Sequence, residues 1–259
     1  MATERTDWRL LLAGLRHWCG LVGSASPGAR VVELEGVYAT VVPAVAQRSV
    51  FNSVTFDDAG RLEAALPALR DAYEQAGVEA WTVWVPEGDP AGPMLQAAGH
   101  RLDAAPAGML RDLAGARRPE GGALDGWAAD GDLRVAAAIN DRSFPFGDDS
   151  FSRGLAGLDT SAVHVYVGTL AGEAVIAAVV CDHGTNAEVD CVAVLPEARG
   201  RGLSGELLGH ALADAHERGL ETTTLVATSL GRPIYERLGY RSIGPIEMWE
   251  SRADTRAPR

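Results

Sequence analysis

Arg199-Gly200-Arg201-Gly202-Leu203-Ser204-Gly205 stands between an apolar, strand-like run that ends at Val194 and a helix-like run that starts at Leu203. Glycine at three of these seven positions frees the backbone of side-chain bulk, so N–H groups can converge on one point at the start of a helix. The helix macrodipole adds roughly half a positive charge there. Such a stretch is an anion cradle, and phosphates are the guests it suits best.

Gly200, Gly202 and Gly205 also spell G-x-G-x-x-G, the dinucleotide-binding pattern, and the context decides against it. In that unit the first glycine follows its strand at once and an acidic residue ends the next strand. Here Leu195-Pro196-Glu197-Ala198-Arg199 intervene, and Glu221 precedes the next strand-like run, Thr222 to Ala227, instead of ending it.

Working outward, the chain reads Val192-x-Val194-x-Pro196, then Arg199-x-x-Gly202-x-Ser204, then Tyr235-Glu236-Arg237-Leu238-Gly239-Tyr240. In this order the segments resemble the GNAT superfamily of N-acetyltransferases, whose pyrophosphate loop reads Q/R-x-x-G-x-G/A and whose later helix carries Y-x-x-L-G-F/Y. Ser204 stands where the family has Gly or Ala. The resemblance implies that acetyl-CoA, or another acyl-CoA, enters between the strand ending at Val194 and the strand Thr222 to Ala227. Its pyrophosphate would rest on Arg199, Gly200, Arg201, Gly202, Leu203, Ser204 and Gly205, and its pantetheine on the backbone of Val192, Ala193 and Val194. Tyr235 is the family's proton donor to the departing thiolate, and a phenol with pKa near ~10 is matched to a thiol. Ser229 and Arg232 follow the second strand within reach of the pantetheine arm or 3′-phosphate. Phe144, Phe146 and Asp148 lie in the loop that borders the acceptor pocket in similar proteins.

Alternation along Ala187 to Val194 puts Glu188, Asp190, Val192 and Val194 on one face unless a bulge intervenes. Glu188 lies eleven residues before Arg199, the register of a base glutamate in several family members, and Asp190 is nearer the acyl group. Either carboxylate can draw the proton from an ammonium, and water is the third alternative.

The opposite half of the chain repeats the pattern without the cradle. Pro93-Met94-Leu95-Gln96-Ala97-Ala98-Gly99-His100-Arg101 matches Pro233-Ile234-Tyr235-Glu236-Arg237-Leu238-Gly239-Tyr240-Arg241. Asp58-Ala59-Gly60-Arg61-Leu62-Glu63 stands where the second half has its glycine loop, and Leu95 stands for Tyr235. Two α/β units are expected, each a mixed, mostly antiparallel sheet flanked by helices: residues 1–114, a degenerate copy, and 123–259, the acyl-CoA-binding copy. The polar stretch Gly115 to Gly122 reads as the linker. Helices are expected over Trp8 to Val22, Leu62 to Ala76, Pro93 to Ala98, Leu133 to Ile139, around Phe151 to Leu155, and from Leu203. Strands are expected over Val31 to Val42, Ser49 to Phe56, Ala80 to Val85, Val163 to Leu170, Glu173 to Asp182 and Ala187 to Val194.

Composition narrows the class. With 35 acidic and 23 basic residues in 259, the net charge of −12 argues against nucleic acid and leans toward a cationic or amine acceptor, small molecule or peptide. Cys19, Cys181 and Cys191 have no metal-ligand spacing, so no metal is expected, and a reduced, cytoplasmic setting is. No apolar run nears the ~18 residues of a membrane span. The resulting expectation is an N-acetyltransferase working by direct attack. The rival is a non-catalytic acyl-CoA-binding sensor or interaction module whose first half engages a partner; with one acyl-CoA per chain, the first copy of the enzyme would serve as scaffold, homodimer surface or acceptor wall.

Overall fold

A computed structural model describes residues 2–144 and 146–253; Pro145, in the acceptor-side loop, lies outside the described residues. The elements run α1 (Ala2–Val22), β1 (Arg30–Leu34), β2 (Val37–Val41), β3 (Ser53–Phe56), α2 (Ala59–Gln75), β4 (Ala80–Pro86), α3 (Ala91–Ala97), β5 (Arg101–Ala104) and β6 (Ala107–Asp112). They continue with β7 (Gly126–Ala128), α4 (Leu133–Ser143), α5 (Ser150–Gly154), β8 (His164–Leu170), β9 (Glu173–His183), β10 (Asn186–Val194), α6 (Leu203–Glu217), β11 (Thr222–Ala227), α7 (Arg232–Arg237) and β12 (Arg241–Arg252).

The strands form one 12-stranded mixed sheet in the order β1-β2-β3-β4-β12-β6-β11-β10-β9-β8-β7, with β5 also on β12. Its centre interleaves the two ends of the chain. β6 pairs with β11 from Ala107↔Ala227 to Asp112↔Thr222, while β12 pairs first with β6 and then, from Ile246, with β4. Gly244, at φ +124°, takes up the bend where β12 changes partners. Strands from both sides of residues 115–122 therefore alternate in the middle of one sheet.

Several segments differ from the sequence reading, each for a local reason. Val31 to Val42 is a hairpin, because Gly36 at φ +69° turns the chain between β1 and β2. Ser49 to Asn52 is a turn instead of strand: fully buried Asn52 accepts from the Val42 N–H and donates to the Val45 and Arg48 carbonyls, which curls this segment before β3. The polar stretch 115–122 is strapped along α6, with Pro119 against Gly209, Arg118 paired to Asp214 at 2.5 Å, and Glu206 accepting from the Ala123 and Leu124 N–H groups. β5, β6, β7 and β12 were missed because they are short or interrupted by Gly and Pro.

α1 lies across the face of the sheet that joins the two halves. Leu11 and Leu15 bury against Trp84 of β4 and Ile246 of β12, each such side chain contributing about 1.5–3 kcal/mol. The buried Asp7 pairs with Arg241 at 2.8 Å, and His17 stacks on His183 at 5.0 Å. Among the described residues no helix is long and apolar enough to cross a membrane, and all three cysteines are free thiols.

Candidate active site at the fork of β10 and β11

β10 and β11 run parallel and pair only from Asn186↔Thr222 to Glu188↔Thr224. Beyond Glu188 the strands part. At the root of the fork, side chains lace the strands together: Thr222 Oγ1 donates to Asn186 Oδ1 at 2.9 Å, Asn186 Nδ2 to Thr224 Oγ1 at 2.7 Å, and Thr224 Oγ1 to Glu188 Oε2.

β10 then bulges. Its register on β9 passes from Asp190↔Val179 to Ala193↔Ala177, one extra residue, with Cys191 at φ +51°. The Cys191 carbonyl accepts from Asn140, a fully buried residue of α4, at 3.0 Å. The extra residue corrects the simple alternation: Ala193, not Val192, joins the face of Glu188 and Asp190, and Val194 moves to the opposite face. The Leu195 N–H bonds Val175 on β9, so the backbone of Val194 points into the fork, where its carbonyl accepts from Arg199 Nε at 3.2 Å.

Arg199 also donates to the Ser143 carbonyl at 2.8 Å, tying the loop before α6 to the end of α4. Gly200 and Gly202 both sit at φ +78°, and a Cβ on either, or on Gly205, would meet nothing within 4 Å. Gly202 is the N-cap of α6, and no side chain caps that end. The first N–H groups of this 15-residue helix thus have no side-chain cap, beside open space at Gly200, Gly202 and Gly205, with Arg201 exposed and Ser204 part-buried. This donor set fits a pyrophosphate. Ser229 and Arg232 are exposed past β11, with Arg232 paired to Glu236 at 2.8 Å.

Glu188 is 1 % exposed and lies under α1, where a methyl on Gly14 would overlap its Oε2. Burial, and then the charge of Asp190, pushes its carboxyl well above the ordinary range, against the opposing Thr224 hydrogen bond. Asp190 is half-buried and raised to about 7 by burial. Neither Glu188 Oε1 nor Asp190 Oδ2 has a hydrogen-bond partner among the described residues. The Cys19 thiol of α1 is raised to about 12 by burial and by Asp190, with a hydrogen bond to Ser53 opposing. Tyr235 is buried, edge-on to Tyr240 at 5.8 Å, and its phenol is pushed up by burial and then by Asp190.

The loop after α4 is held by the first half of the chain. Phe144 stacks on Phe146 and Phe151, Arg48 lies 4.2 Å over the Phe146 ring, and Phe51 meets Phe151 edge-on. Asp148 does not present a free carboxylate: it accepts from Arg48 at 2.6 Å, from Gln47 at 3.2 Å and from Ser150 at 2.5 Å, and these donors hold it below the usual range. Sequence reasoning missed Gly14, Cys19, Arg48, Asn140 and Thr224. The threonine run 222–224 in an otherwise apolar strand was a legible signal for the last; the others are distant in sequence and carried none.

Residues 161–242 match the family model of the acetyltransferase (GNAT) domain. Among solved structures, a GCN5-related N-acetyltransferase from Kribbella flavida aligns over 92% of this chain and 93% of its own at 19% identity and TM-score 0.66. One from Sphaerobacter thermophilus aligns over 84% and 76% at 18% identity and TM-score 0.57. A tandem GNAT protein from the clavulanic acid biosynthesis pathway aligns over 94% and 89% at 14% identity and TM-score 0.56. No curated protein matches. Residues 161–242, the stretch that matches the acetyltransferase (GNAT) domain model, hold the fork, the bulge and the uncapped loop.

Proposed function

We propose that this chain is an N-acyltransferase, most simply an acetyltransferase, that moves the acyl group of acetyl-CoA to an amine by direct attack. The observation that carries the reading is the uncapped start of α6, with Gly200 and Gly202 at positive φ, next to the fork where β10 exposes an unpaired edge. The backbone N–H groups of residues 200–205 would hold the pyrophosphate, Arg199 and Arg201 would add charge, and Ser229 and Arg232 would lie along the arm. A bound thioester supplies an activated carbonyl carbon. The chain's part is to present the Val194 N–H to the carbonyl oxygen, to take a proton from the ammonium at the carboxylate pair Glu188 and Asp190, and to return one from Tyr235 to sulfur. A carboxylate raised toward neutrality suits that first transfer.

We infer further that the chain is two copies of one unit that have exchanged their last strands. Supporting this are the matched order of α2-β4-α3 and α6-β11-α7, the parallel pairs β3–β4 and β10–β11, and the insertion of β6 beside β11 and of β12 beside β4. The experiment is release of CoA thiol from acetyl-CoA with a panel of small amines, aminosugars, polyamines and peptides, read beside the acetyl-CoA shift in Tm. A shift without release under every amine favours the acyl-CoA sensor; no shift overturns the reading.

A further inference from the structure

We propose that the two carboxylates of the fork have separate tasks: Asp190 is the base, and Glu188 is a proton-bearing positioning residue that holds the root of the fork. The division deepens the acyltransferase reading and rests on it only for the word base; the placement of the proton stands on geometry. Glu188 ends the lacing Thr222–Asn186–Thr224–Glu188, which spans β10 and β11 at their last paired residues. A side chain there fixes where the strands part. It cannot reach an acceptor, because Gly14 of α1 sits directly on its carboxyl and leaves it 1 % exposed. Asp190, two residues on and on the same face, lies past the last residue paired with β11, immediately before the bulge, less buried than Glu188 although its Oδ2 is enclosed without a partner among the described residues.

The surroundings decide the charge. Around the pair stand Cys19 from α1, Cys181 from β9, Cys191 of the bulge, Tyr235 from α7 and Tyr240, all neutral at ordinary pH, and no cation acts on either carboxyl. Two carboxylates without a counter-charge in a dry site share a proton, and the more buried one keeps it. Both carboxyls are raised, Glu188 by burial and then by the charge of Asp190, and Asp190 by burial. Glu188 then accepts from Thr224 at Oε2 as a neutral acid, its proton on the unpartnered Oε1, and leaves a single negative charge in the fork to receive the ammonium proton.

Infrared spectroscopy of the carboxylic acid carbonyl stretch at about pH 8.5, above the value of about 7 at which Asp190 loses its proton, reads the proton of Glu188 directly and needs no acceptor. The band is expected in the wild type and in Asp190→Asn, and absent in Glu188→Gln. A band that survives in Glu188→Gln but vanishes in Asp190→Asn exchanges the roles, and no band in the wild type means that both are ionised; either result overturns the proposal. With an amine that releases CoA, Asp190→Asn loses about 10²-fold or more and the acidic limb of its pH profile, while Glu188→Gln, a neutral isostere, retains that limb. A Glu188→Gln variant that binds acetyl-CoA yet loses as much as Asp190→Asn also overturns it.

Discussion

The starts of α2 and α6 occupy matching places after the first strand of each parallel pair and solve the same problem in opposite ways. In α2 the N-cap is Asp58, whose carboxylate accepts from the Gly60 and Arg61 N–H groups, so the helix answers its own orphan donors and presents a negative charge. In α6 the N-cap is Gly202, without a side chain, and the donors stay open. One helix start is thereby closed by its own side chain, and the other keeps its donors free for the proposed pyrophosphate. A capped end is worth about 0.5–2 kcal/mol to the fold, and α6 forgoes that stability for a ligand. The second contrast follows the first: Leu95, fully buried apolar packing, matches Tyr235, whose phenol meets the fork.

Giving α6 the cap of α2 is the strongest way to break this comparison. Gly202→Asp is expected to abolish the acetyl-CoA shift in Tm and weaken binding by at least about 10²-fold, about 2.7 kcal/mol, since the new carboxylate both satisfies and repels. Aspartate tolerates the left-handed backbone at this position better than most residues. An unchanged calorimetric titration would sink the idea that these N–H groups bind the cofactor. The same titration of the unaltered chain should give one acyl-CoA per chain, and two sites would mean that α2 binds despite Asp58.

A smaller effect separates the forks by pH. Asp190 titrates at about 7 in the folded chain, above the ~3.9 of an unfolded aspartate, so the native state keeps its proton longer. Its contribution to stability is full below the unfolded value and is lost as pH rises through about 7. Glu188 acts in the same direction. Asp190→Asn should therefore raise Tm by several degrees at about pH 8 and change it little at about pH 4. A lower Tm at both would show that the charge is compensated in the fold. The β3–β4 pair has no equivalent carboxylates, with Ser53 and Thr82 in register, and should contribute no such slope.

The smallest changes sharpen the contrast from the other side. Asp58→Ala should cost about 0.5–2 kcal/mol in denaturant unfolding and create no second acetyl-CoA site. Arg48→Ala should cost about 1 kcal/mol through its ion pair with Asp148 and its packing on Phe146, and should raise the KM of an acceptor before that of acetyl-CoA.

The glycine loop, the helix that follows it, the hairpin at Ala171-Gly172 and the position of Tyr235 were legible in the sequence, because each is set by local rules of backbone freedom, turn type and periodicity. Ala171 and Gly172 do take the positive φ values of a two-residue hairpin, and Gly200 and Gly202 those of an open loop. The absence of a cradle in the first half was equally readable, from Asp58-Ala59-Gly60-Arg61-Leu62-Glu63 standing where the second half has its glycine loop. Only the tertiary structure decided the rest. The bulge at Cys191, which reassigns the faces of β10, depends on Asn140 arriving from another helix. The interleaving of β12 and β6 depends on pairing between residues far apart in the chain, where hydrophobic alternation allows many partners and register alone selects one. And the different burial of Glu188 and Asp190, two acids on one strand face, depends on a helix over 160 residues earlier that lays Gly14 directly on the first. Sequence spacing fixes which side chains can share a face; solvent, which sets their charge, is excluded by whatever packs above them.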